Sequence, residues 1–274
     1  MKRILLALLM LGMVTTSVMA ADYDAAKKVP SIGKKLLEKN GLPTDTKFEV
    51  IENVADNSNA TTSNIIYISS TDLKYAGNDN ETAAVVSNEI GHIINGKTAK
   101  NKLRDLAKNA ITNSLSSDNI ITTAANSQYL ENKTSLNDNK EADITGVDLM
   151  IQAGYNPLAM VVLVTKMPGS TLETLKGIPS NSERAMNVYD YLVYTYPSKV
   201  KSGYNCQEYR NFLAYADPIV KERNSNSKKL AKFNKEQEKN KTKRAKNVAK
   251  YKTTGTSGWD TSYQLIKAFT EQGE

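Results

Sequence analysis

Glu89 and His92 are the two residues of this chain on which chemistry could be built. They lie in the stretch Ala83-Ala84-Val85-Val86-Ser87-Asn88-Glu89-Ile90-Gly91-His92-Ile93-Ile94-Asn95-Gly96, whose apolar positions recur with the period of an amphipathic helix. With a histidine at position 88 the stretch would read H-E-x-x-H. In that arrangement two imidazoles four residues apart share one helix face and hold Zn²⁺, while the adjoining glutamate acts as general base toward zinc-bound water. Here Asn88 takes the first position. Taken alone, a glutamate and a histidine three apart are just as well an exposed polar pair, so the rest of the chain has to decide.

The elements that would position this helix can be read in order. Apolar residues Ala25, Val29, Ile32, Leu36 and Leu37 predict a helix from Asp24 to Asn40, interrupted by Pro30 and closed by Gly41. Two strands follow, Lys47 to Val54 and Ile65 to Ser69, with turn chemistry at Asp56-Asn57-Ser58-Asn59 between them. If the second strand lies at the sheet edge beside the motif helix, Ile65, Ile66, Tyr67 and Ile68 can pair with an extended peptide by strand addition. Short and long helices are expected over Thr71 to Tyr75 and Glu81 to Gly96, the latter capped by Asn80, and another over Ala99 to Ile111. Thr112 to Asn139 is rich in Ser, Thr and Asn and reads as a partly ordered connection.

Beyond it, Asn139-Lys140-Glu141-Ala142-Asp143 opens a helix that ends at Gly154, and Pro157 opens the next, Leu158 to Lys166. A loop from Gly169 to Ser182 leads to a helix carrying Ala185, Val188, Tyr191 and Leu192, and Cys206 to Val220 forms the last helix of the main domain. The fold class is α+β and mostly helical, with no internal repeat.

Composition sets further bounds. A chain of 274 residues, 40% hydrophobic, suits one domain with appendages. Met1-Lys2-Arg3, an apolar run from Ile4 to Met13 and small residues before Ala21 have the layout of a signal peptide. The expectation is an exported protein, soluble or peripheral in the periplasm or cell envelope, divided as signal peptide 1–20, main domain 21–220, basic arm 221–252 and amphipathic segment 253–274. The single cysteine, Cys206, leaves no intrachain disulfide and reads as a small buried hydrophobe. Net charge is +7, yet residues 221–252 alone carry about +10, which leaves the remainder near about −3. The basic character therefore belongs to the arm, a solvated helix or a disordered segment. It could engage anionic lipid or an acidic envelope polymer; nucleic acid is a poor partner for an exported chain.

The order of motifs gives the Glu89 stretch its meaning. Asn59-Ala60 before the second strand, the strand, the helix to Gly96, Glu141-Ala142-Asp143 with Gly146, Ala153-Gly154-Tyr155-Asn156-Pro157, then Pro179 and Glu183-Arg184 resemble the zinc metallopeptidase family of the CAAX prenyl protease, HtpX and BepA, over roughly Thr46 to Tyr194. The soluble exported branch is the nearer likeness. The resemblance implies a zincin-like metallopeptidase fold with a small sheet beside the motif helix. Residue by residue, it places the first histidine ligand at Asn88, the general base at Glu89, the second histidine ligand at His92 and the glutamate ligand at Asn139. Asp143 matches an aspartate that supports a ligand histidine, Arg184 is kept, and a histidine near the metal falls on Ile178.

Two of three ligands are therefore amides, in a chain whose only histidine is His92. Zinc centres draw on imidazole, thiolate and carboxylate, and an amide replaces none of them well. No cofactor is expected. The implied function is a pseudopeptidase that binds unfolded or envelope proteins and peptides, in a chaperone-like role. The alternative is an active zinc metalloendopeptidase with a rearranged centre, in which Glu89, His92, Glu141 or Asp143 hold the metal.

Overall fold

The computed structural model describes residues 23–52, 61–62, 65–95, 120–249, 251–252 and 259, with the side chains of 61–62 and 120–135 left aside. Helix α1 (Ala25–Asn40) buries Val29, Ile32, Leu36 and Leu37, the stripe its spacing predicts. Asp24 caps it by accepting from Lys27 N–H at 3.2 Å, and Gly41, at φ 64°, turns the chain out in the left-handed region. Pro30 does not interrupt this helix, since both flanking turns are anchored by buried Val29 and Ile32.

Three strands form the sheet: β1 (Lys47–Ile51), β2 (Thr61–Thr62) and β3 (Ile65–Ser69), in the order β1-β3-β2. Strands β1 and β3 run parallel, Lys47 opposite Ile65 through Ile51 opposite Ser69. Strand β2 pairs antiparallel with Ile65 and Ile66. The expected edge strand is thus the middle strand, which corrects the peptide-pairing assignment at Ile65 and Ile66: both sides of their backbone are taken. Ile66 and Ile68 point into the core.

Helix α2 (Ser70–Leu73) leads to the motif helix α3 (Asp79–Ile94). Its cap is Asn78 and not Asn80, because the Asn78 carbonyl oxygen of the side chain accepts from both Asn80 N–H and Glu81 N–H. Glu81, 1% exposed, is a buried carboxylate with every direction satisfied. It accepts from Gly77 N–H at 2.7 Å, Lys166 Nζ at 2.9 Å, Asn78 Nδ2 at 3.0 Å and Tyr204 Oη at 3.1 Å. Such pairing offsets the large desolvation cost of the charge, and its place at the helix N-terminus suits the dipole.

Helix α4 (Ile120–Gln152) is far longer than the sequence suggests: 120–139, expected as a connection, is helical. The expected helix at 99–111 lies outside the described residues. Two glycines bring α4 against α3. A Cβ at Gly91 would stand 2.5 Å from the Ala142 carbonyl oxygen, and one at Gly146 would stand 3.0 Å from the Ser87 backbone. Only hydrogen at both positions lets the helices cross at this distance, which puts residues 88 and 92 within reach of 143 and 139.

Helix α5 (Leu158–Lys166) buries seven successive residues, Leu158 to Val164, and runs through the core. The loop after it contains a further short helix, α6 (Thr171–Leu175), opened by a Ser170/Glu173 capping box. Helix α7 (Ser182–Thr195) presents Ala185, Val188, Tyr191 and Leu192 to the core. After α8 (Pro197–Lys201), helix α9 (Gln207–Ser225) runs past Val220, where its apolar pattern ends; Arg223, paired with Asp190 at 2.7 Å, holds the extra turn. Cys206 is half-buried and caps α9 through its sulfur, which accepts from Tyr209 N–H at 3.4 Å. It is a cap more than a core hydrophobe.

The arm is helix α10 (Ser227–Ala249), docked on α7 and α9. Tyr251 continues the attachment by donating to the Ile93 carbonyl at 3.2 Å, and buried Trp259 donates to Thr46 Oγ1 at 3.1 Å. The rest of the expected C-terminal helix and the expected signal peptide lie outside the described residues. Among those described, no helix is long and apolar enough to cross a membrane.

Candidate functional site

Four helices converge on the motif. Asn88, Glu89 and His92 come from α3, Asn139 and Asp143 from α4, Arg184 from the first turn of α7 and Asp72 from α2. Asp143 has no exposed side-chain surface. Arg184 grips it with two bonds, Nε to Oδ2 at 2.9 Å and Nη2 to Oδ1 at 2.8 Å, and Asn88 Nδ2 donates to Oδ1 at 2.7 Å. A bidentate guanidinium–carboxylate pair with a third donor satisfies a charge that burial alone would forbid. Burial pulls the Arg184 pKa down, but the carboxylates around it, Asp143 first and then Asp72 and Glu89, together hold it above the ordinary value.

One turn further along α3, the Asn139 side chain lies beside His92. Burial depresses the His92 pKa, with Asp143 opposing, so the imidazole is kept neutral. Glu89 is strongly perturbed. Burial pushes its pKa up to about 8, the carboxylate of Asp72 pushes it the same way, and Arg184 opposes both. Asp72 is itself raised by burial, again against Arg184. At neutral pH Glu89 is therefore mostly protonated, a poor state for a general base.

Asn88, Glu89, Asp143, Arg184 and Asp72 line a cavity of about 20 Å³ closed by Met160 and other apolar side chains. That is room for about one water molecule. Ile178 is not part of this lining; it lies half-buried in the turn after α6, its N–H donating to the Glu173 carbonyl at 3.1 Å. Thus Asn88, Glu89, Asp143 and Arg184 come together around the cavity, His92 and Asn139 lie near each other one turn away, and Ile65 to Ile68 lie in the sheet. Asp72 went unnoticed in the sequence. Its one signal there was an acidic residue in the first turn of a short helix.

Zinc is the ion the resemblance implies, and the residues present do not fit it. The donor set at the three ligand positions is one imidazole and two amides, with the Asn88 amide turned to Asp143 as a donor. Among the described residues no group of three His, Cys, Asp or Glu side chains is placed to hold a metal. Asp143, the aspartate expected to support a ligand histidine, has Asn88 as its direct partner instead.

A mostly helical α+β scaffold, with a glycine-seated motif helix beside a small sheet, defines the zincin-like class of metallopeptidase folds. The sequence model of peptidase family M48 matches residues 24–225, and the chain belongs to that family. Neither a curated protein nor a solved structure matches the chain.

Proposed function

We propose that this chain is a pseudopeptidase of family M48: it keeps the family scaffold, has lost the zinc centre, and acts in the cell envelope as a binding, chaperone-like module for unfolded proteins and peptides. The observation that carries the reading is the pairing of the first former ligand position with a protein group: the Asn88 amide donates to Asp143 at 2.7 Å. Hydrogen bonds within the protein take the place of coordination, and without a metal to lower the pKa of water from ~15.7 to ~7, Glu89 has no activated nucleophile to generate. Export rests on the signal-peptide layout of the first twenty residues, and the soluble envelope branch remains the nearer likeness within the family. In the sheet order β1-β3-β2, a bound peptide would add at β1 or β2 and not along Ile65 and Ile66.

Two assays on the mature full chain test this together. The protein is expected to suppress aggregation of a thermally unfolded model protein at near-stoichiometric ratio, and to leave unfolded casein uncut in excess zinc. Casein cleavage that disappears in Glu89→Gln and in chelator would establish the rearranged peptidase instead. No effect on aggregation would remove the chaperone-like role.

A further inference from the structure

The composition of the arm suggests a solvated or disordered charge run, but α10 is a helix with two distinct sides. Toward the domain it turns Leu230, Phe233, Gln237, Arg244 and Val248, all buried or half-buried. Phe233 meets the Tyr194 ring edge-on with centroids 6.0 Å apart, and the Arg244 guanidinium, 1% exposed, lies 4.0 Å from the centroid of the Tyr191 ring. These contacts fix the rotation of the helix about its axis. As a result all eight lysines of α10 are exposed. Lys235, Lys239, Lys243 and Lys246 line one groove of about 610 Å³ with Glu238 and Thr242; Lys243 also leans to Glu141 at 3.5 Å, and Glu238 accepts from Tyr194 at 3.1 Å.

We propose that this outward face of α10 docks the domain on an anionic phospholipid bilayer. The strip runs the length of one helix, roughly 33 Å at 1.5 Å per residue, a shape suited to lie along a planar surface. Its cations are lysines only, since Arg244 is buried, and no exposed aromatic accompanies them. Lysine is a compact, hydrated point charge suited to diffuse attraction by headgroups. Recognition of a nucleic acid or a sulfated chain would favour arginine forks and stacking rings, and neither is present on this face. The remainder of the chain, near about −3, is repelled by the same surface and so helps to orient the domain with α10 downward. Each lysine that reaches the headgroup layer is worth about fivefold in affinity, so the four of the groove are worth several hundredfold together.

Co-sedimentation of the mature full chain with vesicles tests the proposal. Vesicles containing phosphatidylglycerol in phosphatidylcholine are expected to bind the protein at low salt and release it at high salt, while pure phosphatidylcholine does not bind it. The variant Lys235→Ser, Lys239→Ser, Lys243→Ser, Lys246→Ser is expected to lose at least about a hundredfold in affinity while staying folded at the assay temperature, as circular dichroism reads it, since all four side chains are exposed. A control with the same charge change elsewhere, Lys28→Ser, Lys34→Ser, Lys39→Ser, Lys47→Ser, is expected to bind as the wild type does. Equal loss in both variants would reduce the effect to net charge and overturn the proposal. So would unchanged binding by the groove variant, or binding to dextran sulfate with none to the anionic vesicles.

Discussion

Arg184→Met is expected to destabilise the protein by about 3–5 kcal/mol, the usual cost of leaving one partner of a buried ion pair alone. Asp143 has no exposed side-chain surface and accepts from three donors, two of them on Arg184. Methionine keeps most of the volume of the arginine stem, so the loss is electrostatic and not a cavity. Asn88 alone then remains to satisfy a charged carboxylate in a water-poor site. For a chain of this size the change corresponds to a fall of roughly 10 °C in the unfolding midpoint. The companion double variant, Asp143→Asn with Arg184→Met, is expected to recover much of the loss, because no charge is left buried. Chemical denaturation of the four proteins closes the cycle. A loss under about 1 kcal/mol for the single variant would mean that the pair is solvated, and the site would not be the tight network described here.

Stability that falls as pH rises, with Glu89 as its source, is the second large effect. The folded pKa of Glu89 is about 8, against an ordinary value of 4.5. Between those values the native protein holds a proton that the unfolded chain has released, so native stability declines by about 1.4 kcal/mol per pH unit across the window. Below pH 4.5 both states carry the proton and Glu89 contributes no slope. Above pH 8 the whole penalty is present, with an upper bound of roughly 5 kcal/mol. The groups facing Glu89 are Asp72, Asp143 and Arg184. Glu89→Gln preserves shape and removes the titration. The variant should match wild type near pH 4.5 and exceed it by several kcal/mol at pH 9, read from urea unfolding across the range. Parallel curves for the two proteins would place Glu89 in contact with water and remove the effect.

How far the sequence could be read varies with the kind of information each element carries. Helices α1, α5 and α7 were legible because their burying faces are apolar at helical spacing and their ends carry Asp24, Gly41 and Pro157. The stretch 120–139 was not, because its Ser, Thr and Asn content gives little periodicity; it is helical as the N-terminal extension of a segment largely buried from Ala142 to Met150. The docked face of α10 was hidden for a related reason. Two of its buried residues are Gln237 and Arg244, which composition assigns to solvent, and the Tyr191 ring that covers Arg244 lies some fifty positions earlier. The middle position of β3 follows from pairing with β1 across an intervening strand, which no local pattern encodes.

At the site, the motif order assigned Asn88, Glu89, His92, Asn139, Asp143 and Arg184, and three of them meet in the fold by hydrogen bonds: Asn88 with Asp143, and Asp143 with Arg184. That the Asn88 amide turns to Asp143 was beyond the sequence. That choice depends on the separation of α3 and α4, set by Gly91 and Gly146, glycines in helix interiors whose meaning appears only when the neighbouring backbone is known.

Zinc titration of the purified mature chain, beside the variant Asn88→His with Asn139→Glu, separates a lost metal centre from a working one. The wild type is expected to show no stoichiometric zinc binding at micromolar concentration, and the double variant about one zinc per chain, since its three ligands would then be two imidazoles and a carboxylate. One tightly bound zinc per wild-type chain, unchanged in the double variant, would contradict the loss of the centre.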